Sequence, residues 1–261
     1  MPCEYGLAGK VAAVTGGGGV LCGTIGTALA REGVRVALLD IKKAAAESCA
    51  EAIRVAGGTA VAVQADVLDG ASVARARDEI ERALGPVDIL INGAGGNKKE
   101  ATTSPEKPFF DLNILGTIIP SQVFGRRMAE RKQGVILSIS SLNSIRPLTR
   151  IPAYSAAKAA VSNFTQWLAV HMAQEYSPNV RVNAIAPGFF LTEQNRFLLT
   201  EEKTGALTPR GTTILAHTPM ARFGDPVDLV GATLFLVSDQ SRFVSGVVMP
   251  VDGGFSAFSG V

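Results

Sequence analysis

Short apolar runs alternate along this chain with longer segments of helical periodicity, and the alternation predicts its secondary structure. A nearly continuous apolar run is typical of a strand that is buried on both faces of a parallel sheet. Apolar residues that recur every three to four positions indicate the helices between the strands. The predicted strands are 10–15, 34–40, 60–64, 87–92, 135–140, 180–185 and 247–251. The predicted helices are 21–31, 44–56, 72–84, 105–131, 152–176 and 226–237.

Strands that alternate with helices predict an α/β Rossmann fold, in which right-handed crossovers place helices on both faces of a parallel sheet. We expect one doubly wound domain that spans residues 1–261 with a seven-stranded sheet. The alternation is interrupted at 189–224, a long segment rich in charged residues and in turns. Because a structureless loop of this length is unusual, we expect it to contain short helices and to form a small cap over the active site.

Composition and charge exclude several classes of function. Of the 261 residues 47% are hydrophobic and 18% are charged, which provides a sizeable core and argues against disorder. The formal net charge of +2 is too small to indicate nucleic-acid binding. No apolar run is long enough for a membrane span, and the first residues lack a signal-peptide pattern. Three scattered cysteines and two histidines provide no metal-ligand spacing. We therefore expect a cytoplasmic protein without metal, nucleic-acid or membrane partners.

The first predicted strand ends in a glycine-rich turn, and the second ends in a carboxylate. Such a turn before a helix lets backbone N–H groups approach a pyrophosphate. Asp40 can accept hydrogen bonds from the adenosine ribose and would repel a 2′-phosphate, which favours NAD over NADP. The alternatives are a tight turn without a ligand and a helix cap at Asp40. The cofactor-binding residues predicted in this half are Thr15, Gly16, Gly18, Gly19, Val20, Leu21 and Asp40.

Two further strands end in small or polar residues. Open α/β sheets bind ligands at the carboxyl ends of their strands, so these residues are candidates for cofactor contacts. Either group could instead serve only the chemistry of a turn. The candidates are Asp66, Val67, Asn92, Gly93, Ala94 and Gly95.

Tyr154 and Lys158 are four residues apart at the start of a predicted helix, which places their side chains on one face. A nearby ammonium lowers the pKa of a phenol, so the pair is a candidate proton donor and acceptor for alcohol–carbonyl chemistry. Taken alone, the same spacing is more often an ordinary helix start with a solvated lysine. The rest of the chain has to decide between these interpretations.

In their order and positions, these motifs resemble the classical short-chain dehydrogenase/reductase family. The similarity rests on the glycine-rich turn, the Asn-Gly-Ala-Gly run at 92–95, Ser140-Ser141, Tyr154 with Lys158, and Pro187-Gly188. It implies a tetrad of Asn113, Ser141, Tyr154 and Lys158, cofactor contacts by Tyr154, Lys158, Pro187 and Gly188, and a homotetramer. Two departures concern the cofactor half. Val20 and Cys22 stand where the family usually has glycines, and Gly93 stands where it usually has asparagine.

Less general segments, at 141–173, 187–202, 217–224 and 250–261, are similar to the D-mannonate oxidoreductase, or fructuronate reductase, branch. That likeness implies a sugar-acid substrate and an NAD-dependent reaction between D-fructuronate and D-mannonate. Arginine suits bidentate binding of a carboxylate. Other sugar-acid or polyol dehydrogenases, such as the gluconate 5-dehydrogenases, and a 3-oxoacyl thioester reductase remain alternatives, as does a non-catalytic dinucleotide sensor. The predicted substrate-binding residues are Ser141, Asn143, Arg146, Tyr154, Arg196 and Lys98.

Overall fold

The computed structural model describes residues 5–96, 107–149, 151–201 and 204–260. Its seven strands form one parallel sheet in the order β3-β2-β1-β4-β5-β6-β7. The predicted α/β class, strand number and parallel pairing are confirmed. The strands are β1 (Val11–Thr15), β2 (Arg35–Asp40), β3 (Ala60–Gln64), β4 (Ile89–Asn92), β5 (Gly134–Ile139), β6 (Val180–Pro187) and β7 (Val248–Val251).

Helices cover both faces of the sheet, as the doubly wound prediction requires. Apolar side chains of α1, α2 and α8 form one core with the strand residues that face them, and α3, α4 and α5 form the other. Alternate residues of β1 show the division, because Ala12 and Val14 belong to the first core and Val11 and Ala13 to the second. The helices are α1 (Val20–Arg31), α2 (Lys43–Val55), α3 (Gly70–Leu84), α4 (Lys107–Arg131), α5 (Pro152–Glu175), α6 (Glu193–Leu199), α7 (Pro209–Ala216) and α8 (Val230–Val237).

The strand order reverses direction between β1 and β4. Ligands of open α/β sheets bind at such a point, outside the carboxyl ends of the strands. Parallel pairing places Thr15, at the end of β1, opposite Asn92, at the end of β4. The same pairing places Asn92 opposite Ser138, one residue before the end of β5. The sheet therefore gathers the predicted cofactor and catalytic residues at one edge.

The segment 189–224 contains the short helices expected of it. Helices α6 and α7 lie within it, and a parallel bridge between Phe190 and Gly224 joins its two ends. A second bridge joins Thr200 to Leu207 between the two helices. A methyl group on Gly224 would lie 2.7 Å from the ring of Phe190, so only glycine fits this closure. We call this segment the cap.

Candidate active site

The glycine-rich turn packs tightly on one side and is open on the other. A Cβ on Gly17 would lie 2.8 Å from Cβ of Leu38 on β2, and a Cβ on Gly18 would lie 2.6 Å from Cβ of Ala45 on α2. Gly19, by contrast, is exposed and begins α1 without any side-chain cap. Val20 follows it and is also exposed. The first turn of α1 thus presents uncapped backbone N–H groups, which fits a pyrophosphate.

Asp40 is connected directly to this turn. One carboxylate oxygen accepts a hydrogen bond from the Gly18 N–H at 3.2 Å, and the other accepts one from the Lys42 N–H at 2.9 Å. The carboxylate is half-buried at the end of β2, beside the turn. A negative charge fixed there suits ribose hydroxyls and disfavours a 2′-phosphate. Residues 42 and 43 are exposed lysines, which do not bind this carboxylate through their side chains.

Thr15 and Asn92 hold the turns after β1 and β4 in place through buried hydrogen bonds. Thr15 is fully buried, and its hydroxyl oxygen accepts hydrogen bonds from the N–H groups of Gly93 at 3.0 Å and Ala94 at 3.2 Å. Asn92 is also buried and donates to the hydroxyl of Ser121 on α4 at 2.8 Å. Both residues were predicted to contact the cofactor. The structure instead turns their side chains into the protein, where they hold the end of β1 against the end of β4.

The two departures from the family's glycine pattern compensate each other. A Cβ on Gly93 would overlap the sulfur of Cys22, which is buried on α1. The Cys22 side chain therefore occupies space that a side chain at position 93 would need. Helix α1 still packs closely against the turn after β4. The small residue at this contact is Gly93 in the turn, whereas the family usually has a glycine at position 22 on α1.

The Ser141 side chain lies close enough to the Tyr154 phenol to lower its pKa. Asn143 holds that serine in place, because its backbone N–H donates to Ser141 Oγ at 3.3 Å and its side-chain amide donates at 3.2 Å. Asn143 in turn accepts a hydrogen bond from Ser155, the residue after Tyr154. Asn143 was predicted to bind substrate, but it is buried and its amide links the serine to the start of α5. We therefore describe it as a positioning residue.

Lys158 lies on the same face of α5 as Tyr154, as the spacing predicted. Its ammonium is 5.7 Å from the centre of the Tyr154 ring and donates to the carbonyl of Ile139, at the end of β5, at 2.9 Å. Asn113 approaches from α4 and donates to the carbonyl of Gly96 at 2.8 Å. A Cβ on Gly95 would lie 2.9 Å from the side-chain oxygen of Asn113 and 3.5 Å from the Lys158 nitrogen. All four predicted tetrad residues thus converge on the same edge of the sheet.

Comparison with known proteins identifies the family. Residues 10–203 match the family model of the short-chain dehydrogenases. The chain belongs to the short-chain dehydrogenase family. It is 46% identical over 281 aligned residues to UxuB of Bacillus subtilis, an oxidoreductase of uncharacterized activity, with both chains fully covered. It is 35% identical to the 5-keto-D-gluconate 5-reductase of Escherichia coli, over 96% of each chain.

A solved structure from Haemophilus influenzae, provisionally named a D-mannonate oxidoreductase, contains bound NAD. It superimposes on this short-chain dehydrogenase with a TM-score of 0.90, at 44% sequence identity and with 98% of each chain covered. The resemblance drawn from the sequence to this family and branch is therefore confirmed by both kinds of comparison. These proteins catalyse oxidation and reduction, so the chain is an oxidoreductase.

The protonation of the central pair differs from the sequence-based expectation. The spacing suggested that Lys158 lowers the pKa of Tyr154. Burial instead raises the pKa of the Tyr154 phenol, and the hydrogen bond with Ser141 offsets part of that rise. Burial also lowers the pKa of Lys158 from 10.5 to about 8, with an opposing contribution from the neighbouring Cys22. Removal from water is the larger effect for both groups because each ion loses its hydration there.

The other predicted cofactor residues lie at neighbouring strand ends. Asp66 accepts a hydrogen bond from the Leu68 N–H at 2.9 Å, and Val67 is buried behind it. Pro187 ends β6 and is buried. The N–H of Gly188 donates to the carbonyl of Val251, and a Cβ on this glycine would lie 2.7 Å from Cα of Asp252. Gly188 is thus required for the close approach of Asp252, the residue after β7, to the end of β6.

The predicted substrate cations lie apart from one another. Arg146 is exposed, and its guanidinium donates to the carbonyl of Ser256 in the carboxyl-terminal segment at 3.1 Å. Arg196 is exposed on α6. Lys98 lies outside the described residues. Substrate binding by either arginine stays a prediction, and neither lines the cavity described next.

A cavity of about 510 Å³ lies between α7, the segment before α5, the start of the cap and the carboxyl-terminal segment. This volume is in the range of small-molecule sites. Phe189 and Phe255 pack edge to face at 5.3 Å and provide part of its apolar wall. Among the residues that the structure describes, the lining is Leu148, Thr149, Phe189, Pro209, Arg210, Thr213, Ile214, His217 and Phe255. Sequence reasoning did not group Arg210 with His217. The position of α7 beside the cavity shows that both side chains line it.

Within 5–96, 107–149, 151–201 and 204–260, no cluster of three or more histidine, cysteine or acidic residues forms a metal site. None of the helices in these ranges is long and apolar enough to span a membrane.

Proposed function

We propose that this short-chain dehydrogenase interconverts D-fructuronate and D-mannonate with NAD. The observation that carries the reaction type is the convergence of Ser141, Tyr154 and Lys158: the Ser141 side chain lies close enough to the phenol to lower its pKa, and Lys158 lies on the same helix face. A set of this kind serves proton transfer, which a protein that only binds dinucleotides does not require. The likeness to a structure named for D-mannonate supports the choice of substrate, as does the arginine in the cavity beneath the cap.

Each residue of the tetrad has a separate task in this proposal. NAD bound at the start of α1 supplies or accepts the hydride. Tyr154 donates a proton to the substrate oxygen on reduction and removes it on oxidation. Ser141 donates a hydrogen bond to the same oxygen and stabilises the negative charge that develops there. Lys158, anchored on the carbonyl of Ile139, provides a positive charge beside the phenol, and Asn113 holds the loop that ends at Gly96.

Asp40 supports NAD as the cofactor. Its carboxylate lies beside the turn and is fixed by two backbone N–H groups, so it cannot withdraw from a 2′-phosphate without losing both hydrogen bonds. We therefore expect NADH to be preferred over NADPH. Pro187, Gly188 and the run from Gly93 to Gly95 complete the proposed cofactor surface from the neighbouring strand ends.

A second candidate function is the reduction of 5-keto-D-gluconate, which the relative from Escherichia coli favours. D-Fructuronate and 5-keto-D-gluconate both carry a ketone at carbon 5 and a carboxylate at carbon 1, and they differ only in configuration at carbon 2. The two substrates therefore test the binding of one hydroxyl while the reacting carbon stays the same. The polar cap argues against long thioester substrates, which need an open groove.

The experiment is a spectrophotometric assay of purified protein with D-fructuronate, 5-keto-D-gluconate, D-tagaturonate and acetoacetyl thioesters, each with NADH and with NADPH. We expect the highest kcat/KM for D-fructuronate with NADH. Absence of D-fructuronate reduction alongside strong activity on another compound would refute the substrate assignment. Reduction of 5-keto-D-gluconate as the best substrate would support the second candidate.

We further propose a cytoplasmic homotetramer. Support comes from the outer face of α5, where Trp167 is 56% exposed and Val170 is 57% exposed, with His171 stacked on Trp167 at 4.8 Å. Apolar groups of this size favour contact with a second subunit. Light scattering coupled to size-exclusion chromatography tests the subunit number, and a monomer at micromolar concentration would contradict it.

A further inference from the structure

We propose that Arg210 binds the carboxylate of the substrate, and that His217 accepts a hydrogen bond from one of its hydroxyls. This inference rests on the proposed sugar-acid function and assigns the polar groups that recognise the acid. Both residues line the cavity at α7, and neither Arg146 nor Arg196 does. The proposal therefore moves the carboxylate site from the two arginines favoured by the sequence to a third one.

Four cavity residues lie on one face of α7. Arg210, Thr213, Ile214 and His217 occupy positions i, i+3, i+4 and i+7, which is the spacing of a single helical face. Arg210 and His217 are therefore separated by about 10 Å along the helix axis. The distance allows the carboxylate and the hydroxyls of a six-carbon acid to be bound by different ends of one wall.

Arg210 is available for a ligand. Its side chain is half-buried, and within the part of the chain that the structure describes it makes no hydrogen bond or ion pair. Several other arginines are engaged: Arg222 binds Asp228 at 2.5 Å, and Arg181 donates to the carbonyls of Leu236 and Ser238. A guanidinium that is partly withdrawn from water and lacks a counter-charge gains most from a planar, bidentate anion.

The position of Arg210 is fixed by its helix. Thr208 caps α7 by accepting a hydrogen bond from the Gly211 N–H at 3.0 Å, and it donates to the carbonyl of Leu198 at 2.6 Å. A Cβ on Gly211 would overlap the backbone carbonyl of Leu199, so α7 packs against the end of α6 without an intervening side chain. The residue between Pro209 and Gly211 is thereby held at the cavity wall.

The tautomer of His217 suits a hydroxyl donor. Nδ1 of the ring lies 2.9 Å from the carbonyl oxygen of Thr213. Because a carbonyl oxygen only accepts, Nδ1 carries the proton, and Nε2 of the neutral ring is an acceptor. The ring also packs edge to face on Phe258 at 6.3 Å. His217 therefore presents an acceptor of defined orientation to a substrate that has several hydroxyl groups.

Other lining residues are close in the chain to the catalytic residues. Leu148 and Thr149 belong to the segment that joins Ser141 to Tyr154, and Phe189 directly follows Gly188 at the end of β6. The apolar surface of Leu148, Phe189 and Phe255 lowers the local polarity around the half-buried guanidinium, which strengthens its attraction for a carboxylate. A 5-keto acid bound with its carboxylate on α7 would extend its ketone towards these residues.

The test compares Arg210→Gln and Arg210→Lys with wild type, with Arg31→Gln as a matched control because Arg31 is an exposed residue at the far end of α1. We expect Arg210→Gln to raise KM for D-fructuronate about 100-fold with little change in kcat, since the contact is equally present before and during reaction. Arg210→Lys should raise KM for D-fructuronate about tenfold, because lysine keeps the charge and loses the bidentate geometry. The Kd of NADH, measured by fluorescence, should stay within twofold in every variant.

The outcomes separate this inference from the proposed function. Wild type that reduces no sugar acid would overturn both. Wild type that reduces D-fructuronate, together with an Arg210→Gln variant of unchanged KM, would overturn only the inference. The same conclusion would follow if Arg146→Gln or Arg196→Gln produced the large increase in KM. A neutral ketose adds a second criterion, because the preference of wild type for the acid over the ketose should fall in Arg210→Gln.

Discussion

A methyl group at position 93 is expected to disturb the cofactor half of this short-chain dehydrogenase. In Gly93→Ala the new Cβ would overlap the sulfur of Cys22 and would lie 2.9 Å from the carbonyl oxygen of Thr15. Gly93 does not have a positive φ, so its backbone can accept alanine and the penalty is steric. Cys22 lies on α1 and is buried, so the sulfur has little freedom to move.

The size of the penalty follows from the packing. Overpacking of a well-filled core typically costs about 1–3 kcal/mol. The reduced entropy of the unfolded chain returns about 0.4–1 kcal/mol when glycine becomes alanine. We expect a net loss of about 1–2 kcal/mol, which for a chain of this length lowers Tm by about 3 °C. The KM for NADH should rise as well, because Thr15 anchors the N–H groups of Gly93 and Ala94.

A double-mutant cycle isolates the contact. Cys22→Ala removes the sulfur and keeps Cβ, which would lie 3.6 Å from a Cβ at position 93, an ordinary van der Waals separation. The double variant Cys22→Ala/Gly93→Ala should therefore regain most of the stability that Gly93→Ala loses, with a coupling of about 1–2 kcal/mol. Differential scanning fluorimetry gives Tm for all four proteins, and fluorescence titration gives the Kd of NADH.

Gly231→Ala is the control, because Gly231 lies on the exposed side of α8 and a Cβ there would meet nothing within 4 Å. It should raise Tm slightly, as expected for a helical glycine replaced by alanine. Additive effects of Cys22→Ala and Gly93→Ala, or a neutral Gly93→Ala variant, would show that the two departures from the family pattern are unrelated.

Further predictions concern the charged and catalytic groups. Tyr154→Phe should lower kcat by about 10²–10⁴-fold and leave the Kd of NADH nearly unchanged; near-normal turnover would contradict its role. Asp40→Ser should raise the ratio of NADPH to NADH activity, and a wild type that prefers NADPH would contradict our interpretation of the carboxylate. Lys158→Met should be more stable than wild type by about 3 kcal/mol at pH 7, because burial lowers the pKa of Lys158 from 10.5 to about 8. The unfolded chain holds this proton up to a higher pH than the folded protein does. The loss of stability caused by burying the charged lysine is therefore constant below pH 8 and disappears as pH rises to 10.5. A Tm difference between the variant and wild type that does not change with pH across this window would contradict the prediction. Oxidation of D-mannonate should accelerate as pH rises above 8, because the raised pKa of Tyr154 limits its action as a base; equal rates at pH 6.5 and pH 9 would argue against this.

The fold could be predicted from sequence because its signals are local. The run at 135–140 is mainly apolar, and the structure places β5 at Gly134–Ile139 between two buried neighbours. The same reasoning placed Asp40 at the end of β2. Parallel strands end at a common edge, so a correct list of strands also predicts which residues meet there. Tyr154 and Lys158 were paired by their helical spacing, and the tetrad with Ser141 and Asn113 was predicted through the family resemblance.

The choice among the arginines could not be predicted in this way. Arg146 binds a carbonyl of residue 256, which is 110 residues away in the chain, and no local pattern reports that contact. Arg210 was one of several charged residues of the cap until the direction of α7 placed it with His217. Cys22 and Gly93 are likewise distant in sequence, and only their contact explains why both depart from the usual pattern.

The central pair shows why proximity and burial have to be weighed together. Four-residue spacing brings the Lys158 ammonium near the Tyr154 ring, and by itself this favours the phenolate. The same helix face is buried, and burial moves both groups towards their neutral forms, the phenol upward and the ammonium down to about 8. At neutral pH the tyrosine therefore keeps its proton while the lysine remains largely charged. The protonated Tyr154 phenol can donate its proton to a carbonyl directly. Removal of a proton from an alcohol requires the phenol to ionise first. In the free protein the protonated phenol is thus the form that can donate to a carbonyl, whereas proton removal from an alcohol depends on alkaline pH.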